Sequence, residues 1–371
     1  MKSTFDIKVM IKLYIIGMLL LIIGLFPPMA LCSDYIPIIA SIKAFAGDDL
    51  SVRNKSDLLT ISNASFVRFN DNETINILDL IYEKFGCSEG RKNLILLRSN
   101  PSHPFYLFFF NKERKKAAYF EIPLNLAPKS LPDLKPEEIF SKAKLFDVPW
   151  DEILKNASGW EKRLKSMGMG PNELKLVSVA LLWTVGLPQE VVKAIEIHDH
   201  LCPGVLSGLF IGNLLLSELP PQQDTSYFWI GSPVWCKEDL ILSMLNTTPG
   251  KRNIFLFPLS DESKKHLKDK NSAGILIQTS RKTGEGKGIV VGFDWERLRK
   301  DTGITGEISK WEERLITSHY MLNNYKHYQK YAYVIKKFEI QKGNKPESYI
   351  EQCTNPWKKL TLWIEEEKKA E

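Results

Sequence analysis

Hydrophobic and polar positions fall into short, punctuated blocks along the chain, and the spacing inside each block predicts its element. Residues 74–85 place Ile75, Ile77, Leu78, Ile81, Tyr82 and Phe85 close to helical spacing, with Gly86 as a stop. Runs rich in aliphatic and aromatic residues follow at 94–97, 105–110 and 117–122, broken by Asn100-Pro101 and by the polar stretch 111–116. They predict a meander of strands. Upstream, 53–72 alternates weakly, and the apolar stretch 35–45 fits either a strand or a short helix. Pro123, Pro128, Pro132 and Pro136, with Pro149 beyond them, mark a linker or an extended crossing. Residues 137–192 then read as helices in several pieces, including 173–185, cut by Gly168, Gly170-Pro171 and Gly186.

A second series of blocks begins near residue 198. Pro203, in the first helical position, and the stripe Phe210, Leu214, Leu215 predict a buried helix starting just after Cys202. Residues 227–230 read as a strand, and 233–239 lead into a helix that runs through Leu245. The turn 247–253 feeds the apolar run 254–259, and strands at 274–279 and 288–293 flank an exposed turn at 282–287. The remainder, 295–371, reads as mostly helical and highly charged. Its cluster of Tyr320, Tyr325, Tyr328, Tyr331 and Tyr333 has the spacing of packing residues.

The two series match each other. Residues 79–93 align with 239–253 at a constant offset of 160, with Asp79/Asp239, Leu80/Leu240, Ile81/Ile241, Gly90/Gly250 and Asn93/Asn253 identical. Arg91-Lys92 against Lys251-Arg252 keeps the charge, and strands follow in both halves. A repeat of this kind predicts an α+β chain of two related α/β units, meander sheets packed with helices, at 34–125 and 191–300. Residues 126–190 form a proline-rich, then helical linker between them, and 301–371 a charged helical extension. Such a chain mimics a dimer internally or forms a homodimer, with one active and one degenerate half.

Composition narrows the class. The 371 residues carry 50 Lys+Arg against 44 Asp+Glu, a formal charge of +6, and 44% are hydrophobic. These proportions suit two or three globular domains and exclude collagen-like, disulfide-scaffold and wholly disordered chains. So mild a surplus of positive charge gives no reason to expect a nucleic-acid partner. Lys2, Lys8 and Lys12 precede an apolar run at 13–26, then Pro27-Pro28 and Ala30-Leu31-Cys32-Ser33. That is the layout of a secretory signal over residues 1–32, or of a membrane anchor if it stays uncleaved. The expectation is an exported protein that meets a membrane only through this segment. Leu31 before Cys32 does not fit a lipidation box.

Export leaves Cys87, Cys202, Cys236 and Cys353, and no Cys-x-x-Cys pair, which excludes a ribbon-type zinc module. Cys353 has no neighbours of metal-binding type. His198, His200 and Cys202 alternate at spacing two, so an extended segment would turn all three to one face. Imidazole and thiolate together suit zinc or another divalent transition metal. Cys236, at a predicted helix N-terminus that favours its thiolate, would close the site. Asp199 would face away, as an orienting or surface residue. Thr247, Thr248, Lys251 and Arg252 offer hydroxyls, backbone donors and two cations suited to an anionic small ligand, without the form of a nucleotide P-loop.

His198-Asp199-His200-Leu201-Cys202-Pro203-Gly204, with Gly208 after it, resembles the signature of the formylmethanofuran dehydrogenase FmdE family. Cys236 followed by Asp239, and Thr248-Pro249-Gly250-Lys251-Arg252-Asn253, resemble its second block. The resemblance spans about 190–295, with a weaker copy at 75–122. It implies an α+β domain that binds a metal, commonly zinc, through the His/Cys motif. It also implies a family often dimeric and found beside molybdenum or tungsten formylmethanofuran dehydrogenases of methanogens. Asn246-Thr247 stands where the family usually carries Gly-Cys, a pair kept here as Gly86-Cys87, so Cys87 is expected to approach the second-half site if the halves pack together. The positions 160 before His198, His200 and Cys202 are Ile38, Ala40 and Ile42. An export signal sets the chain apart from a component of a cytoplasmic complex. The expected function is metal binding through His198, His200, Cys202 and Cys236, with a small ligand. The alternatives are a metal-dependent enzyme with an open coordination position and a structural metal site in an interaction protein.

Overall fold

The structure, a computed structural model, describes residues 34–69, 72–126, 128–351 and 354–365. The expected leader at 1–32, with Cys32, and the thiol of Cys353 lie outside the described residues. Among the described residues, no helix is long and apolar enough to cross a membrane.

The ambiguous stretch near residue 35 is helical: α1 spans Ile36–Leu50, with proline in its first turn. Strand β1 (Leu58–Ser62) follows, then α2 (Ile77–Phe85), which Gly86 ends in the left-handed conformation at φ 76°. Strands β2 (Leu94–Leu96), β3 (Phe105–Asn111), β4 (Lys116–Ile122) and β5 (Lys142–Asp147) complete a five-stranded sheet of order β2-β1-β3-β4-β5. The β1–β2 pair is parallel and the other pairs are antiparallel. β5 lies inside the segment expected to be a linker. It is an edge strand, mostly half-buried and carrying Lys142 and Lys144, so it lacks the apolar run that reveals a central strand.

Helices α3 (Ala157–Ser166), α4 (Pro171–Trp183), α5 (Gln189–His198) and α6 (Pro203–Glu218) come next. The second half adds β6 (Thr225–Gly231), α7 (Lys237–Leu245), β7 (Ile254–Leu256), β8 (Ser272–Ser280), β9 (Gly286–Phe293), α8 (Lys310–Asn324) and β10 (Ala332–Ile340). Its sheet has the order β7-β6-β8-β9-β10, again with one parallel pair, β6–β7. The region after residue 301, expected to be helical, thus supplies an edge strand as well as α8. Lys336, Lys337 and Glu339 give β10 its charged character, and only its two ends are buried.

The two sheets have the same strand order, and several elements correspond at the offset of 160. α2 and α7 start and stop in step, and Gly86 and Asn246 both cap them in the left-handed conformation. The 3-10 turns Glu89–Arg91 and Pro249–Lys251 match. The Asn93 and Asn253 side chains accept from Ser88 N–H at 2.9 Å and Thr248 N–H at 2.8 Å. Their carbonyls accept from Thr60 and Trp229 of the neighbouring strands. Upstream the offset changes, because α1 and α6 start from the N-caps Tyr35 and Cys202. The N-caps of α1 and α2 are Tyr35 and Asn76, where α6 and α7 have Cys202 and Cys236. Ile38, Ala40 and Ile42, which a fixed offset assigns, lie within α1.

Alternation along each strand sends side chains to two apolar faces. On β3, Phe108 and Phe110 join the main core, whereas Phe105, Leu107 and Phe109 join a second core under α1 and α2. Burial on both faces explains the unbroken apolar run. The main core continues through α4–α6 to Leu276, Ile289 and Val291 of the second sheet. Residues from Trp357 and Leu360 cover that sheet's far side. The two sheets thus flank a central helical layer, and the junction of α5, α6 and α7 lies in it.

Candidate metal centre

The His/Cys motif is a corner. His198 is the last residue of α5, and Asp199 then adopts a left-handed conformation at φ 64°. The chain turns, and Cys202 enters α6 as its extended N-cap. The expected extended segment with three donors on one face is therefore replaced by a helix end, a reversal and a helix start. Cys236 is the N-cap of α7, so both sulfurs sit at helix N-termini, where the peptide dipoles favour thiolate. The helices approach closely because Gly208 lies against Lys237 and Leu240: a Cβ there would stand 2.7 Å from the Lys237 carbonyl oxygen.

The ligand atoms of His198, Cys202 and Cys236 lie within 4.8 Å of one another. Cys202 Sγ is 4.0 Å from His198 Nε2. A tetrahedral zinc ion would set such a nitrogen and sulfur about 3.6 Å apart, so this pair needs to close by only a few tenths of an ångström. Gly204 makes room for them. A Cβ at that position would be 3.1 Å from Cys236 Sγ and 3.6 Å from Cys202 Sγ. Two sulfurs and an imidazole nitrogen fit zinc or a similar borderline ion and do not fit a hard oxygen-seeking one.

The surroundings order the donors. His198 Nδ1 bonds Asp239 Oδ2 at 2.7 Å, leaving Nε2 to face the sulfurs, the orientation that metal-binding imidazoles receive from a carboxylate behind them. Burial opposes charge on His198, but Asp239 and the Cys236 thiolate outweigh it and raise its pKa to about 9. A hydrogen bond from the Cys202 thiol, then one from His198, outweighs burial at Cys236 and lowers its pKa to about 4. Cys202 moves the opposite way, raised by its partner thiolate and by burial, so this thiol keeps its proton.

Comparison with known proteins identifies the family of this region. Residues 197–371 match the family described as FmdE, molybdenum formylmethanofuran dehydrogenase operon. This part of the chain belongs to the FmdE family. The match takes in α8 and β10, beyond the 190–295 span suggested by the motifs. Among solved structures, a tungsten formylmethanofuran dehydrogenase FmdE-like protein from Syntrophus aciditrophicus shares 20% identity, covering 44% of this chain and 74% of that one, with a TM-score of 0.28. No curated protein matches the chain.

Within the FmdE part, His200 stands beside the three donors. Its ring is 4.4 Å from that of His198, centroid to centroid. Its Nδ1 lies 3.1 Å from the His198 carbonyl oxygen and 2.9 Å from Asp199 Oδ1. A carbonyl only accepts, so Nδ1 carries the proton and Nε2 of the neutral ring keeps its lone pair. Asp199, also bonded by Lys175 at 3.2 Å, orients His200.

The expected anion cradle closes on itself. Thr248 N–H is taken by Asn253, Lys251 N–H bonds Thr248 Oγ1 at 3.3 Å, and the Lys251 ammonium bonds Asn246. Thr247 is fully buried, and Arg252 is the exposed, left-handed end of the turn. A turn of the same shape occurs at 88–92, so Thr248 and Lys251 serve a structural corner. Cys87 does not join the donors: its buried Sγ–H points to the Leu58 carbonyl at 3.4 Å, within the core under α1 and α2. Burial pushes its pKa up to about 11, as befits a packed thiol.

Sequence reasoning used Asp239 only as a matching position and missed its role behind His198. Its place one helical turn after Cys236 is the signal that marks it. The Lys237–Glu238 pair was also missed. Both residues are buried, the ammonium bonds Glu238 and the Pro233 carbonyl and lies 3.5 Å from the centre of the Trp235 ring, and Trp229 Nε1 donates to Glu238. The pair anchors the start of α7, and with it Cys236.

Proposed function

We propose that this is an exported metal-binding protein in which His198, Cys202 and Cys236 hold zinc or another divalent transition metal, with His200 as the adjacent further donor. The observation that carries this reading is the convergence of one imidazole nitrogen and two sulfurs within 4.8 Å from three separate elements. Asp239 behind His198 and the opening left by Gly204 support it. Elemental analysis of protein purified from its own cells is the test. Cys202→Ser and Cys236→Ser should lose most of the metal, whereas Cys87→Ser and Cys353→Ser should keep it. Equal metal in all four variants contradicts the reading. If chelation unfolds the protein, the metal instead serves as a structural staple.

A second reading, a metal-dependent enzyme, is favoured by a cavity of about 730 Å³ that has His200 in its wall. A bound ion with an open position would supply Lewis acidity there. Turnover of a substrate that depends on the metal would support this reading over simple carriage. Export rests on the N-terminal pattern, and N-terminal sequencing of the mature chain tests it. The shared strand order and the corresponding turns support an internal duplication whose first half carries Tyr35 and Asn76 in place of the two sulfurs. This arrangement is a pseudo-dimer within one chain, and a monomeric mass by ultracentrifugation would fit it.

A further inference from the structure

We propose that the cavity between α3, α4 and α8 binds an amphipathic small molecule, an apolar body with an oxyanion head group held by Lys310 and Arg314. The inference concerns a cavity that shares His200 with the metal-centre corner and does not rest on that reading. Binding itself does not need the metal.

The volume, about 730 Å³, is that of a small-molecule site. Met169, Leu174, Leu182, Leu201 and Leu315 give it an apolar lining, and the indole of Trp311 adds an aromatic surface. Four cations, Lys165, Lys175, Lys310 and Arg314, share the wall with two carboxylates, Glu161 and Asp199. Both carboxylates are already engaged: Glu161 by Lys165 at 2.7 Å and by Ser309, and Asp199 by Lys175 and His200. Lys310 and Arg314 form no ion pair among the described residues, so the cavity presents two uncompensated cations beside an apolar interior. An anionic head satisfies them, whereas a neutral or cationic one leaves them as they are.

The walls are fixed before any ligand arrives. The Glu161–Ser309 bond ties α3 to the start of α8, and Trp311 Nε1 donates to the Leu174 carbonyl at 3.2 Å, tying α8 to α4. Two of the three helices, α3 and α4, precede residue 197, so they lie outside the FmdE match. The site is thus built by joining this chain's own helices to the family's corner. His200 is common to the cavity and to the group around the sulfurs.

Titration calorimetry with decanoate tests the proposal, with decanol and decyltrimethylammonium as head-group controls. Decanoate should bind saturably, decanol at least about tenfold more weakly, and the cation not at all. Arg314→Glu should weaken decanoate about tenfold or more. Ser178→Trp, which fills the cavity from α4, should abolish binding, and both variants should keep wild-type metal content. Should Ser178→Trp fail to fold, Lys310→Glu/Arg314→Glu, at two exposed positions, carries the test. No saturable decanoate binding, decanol binding as tightly as decanoate, or a folded variant with wild-type affinity overturns the proposal. Wild type purified from its own cells without bound metal, yet binding decanoate, would sink the metal reading and leave this one standing.

Discussion

Replacing Gly204 by alanine separates metal binding from folding. Gly204 occupies the first turn of α6, and its backbone is not in the left-handed region, so alanine meets no conformational barrier there. In a helix without other constraints, the change would stabilise by about 0.5–1 kcal/mol. Here the new methyl would stand 3.0 Å from Cys236 Cβ and 3.1 Å from its Sγ. Both are tighter than ordinary van der Waals contact, so Cys236 must give way by a few tenths of an ångström. Crowding of this kind costs about 1–3 kcal/mol in packed interiors. In the metal-free protein, the helix gain offsets part of that cost, and the melting temperature should change little. In the metal-bound protein, the sulfurs are held at about 2.3 Å from the ion and cannot yield, so the penalty falls on affinity. It amounts to about 5–150-fold weaker zinc binding. Competition with a chromophoric chelator measures the affinity, and calorimetric melting in excess chelator measures the metal-free fold. Unchanged zinc affinity in a folded Gly204→Ala protein refutes the reasoning.

Three further outcomes follow from the same geometry. Asp239→Asn removes the charge behind His198 and should weaken zinc about 10–100-fold, with the circular dichroism unchanged; an affinity equal to wild type contradicts the role assigned to that carboxylate. With His198 raised to about 9 and Cys202 raised further, both carry protons near pH 7 while Cys236 does not. Zinc must therefore displace about two protons, and its affinity should rise about 100-fold per pH unit between about pH 6 and 7.5, as read by calorimetry in buffers of different ionisation enthalpy. Release of fewer than one proton would show that His198 or Cys202 is not a ligand. Lys237→Met leaves Glu238 buried without its cation and should cost about 3–5 kcal/mol in urea unfolding, and Lys237→Met/Glu238→Gln should recover much of it. A loss below about 1 kcal/mol for the single change would mean that the pair anchors nothing.

Elements with strong periodicity were legible without coordinates. The spacing of Ile77, Ile81 and Phe85 before Gly86 marks α2, and the runs around Phe108, Phe120, Ile230 and Ile275 mark central strands, because burial on both faces demands unbroken apolar residues. Two of the four edge strands were not legible. β5 and β10 bury little and carry lysines, so their composition is that of a linker or an exposed helix. The turn at 247–253 illustrates another limit: Thr248 and Lys251 look like part of an anion cradle until the hydrogen bonds show that they hold the turn together.

At the site, the sequence determined which donors exist. Two histidines and a cysteine within five positions, and a second cysteine with an aspartate one turn later, are covalent facts that set the available chemistry. Tertiary structure decided which of them meet. The distance between residues 202 and 236 depends on how α6 and α7 pack, and that packing depends on the bare faces of Gly204 and Gly208. It also left Cys87 against Leu58 in another core, gave His198 its carboxylate, and joined helices from before and after the motif around one cavity. Local pattern encodes what a segment offers; long-range packing, which sums many weak contacts over the whole chain, decides what it faces.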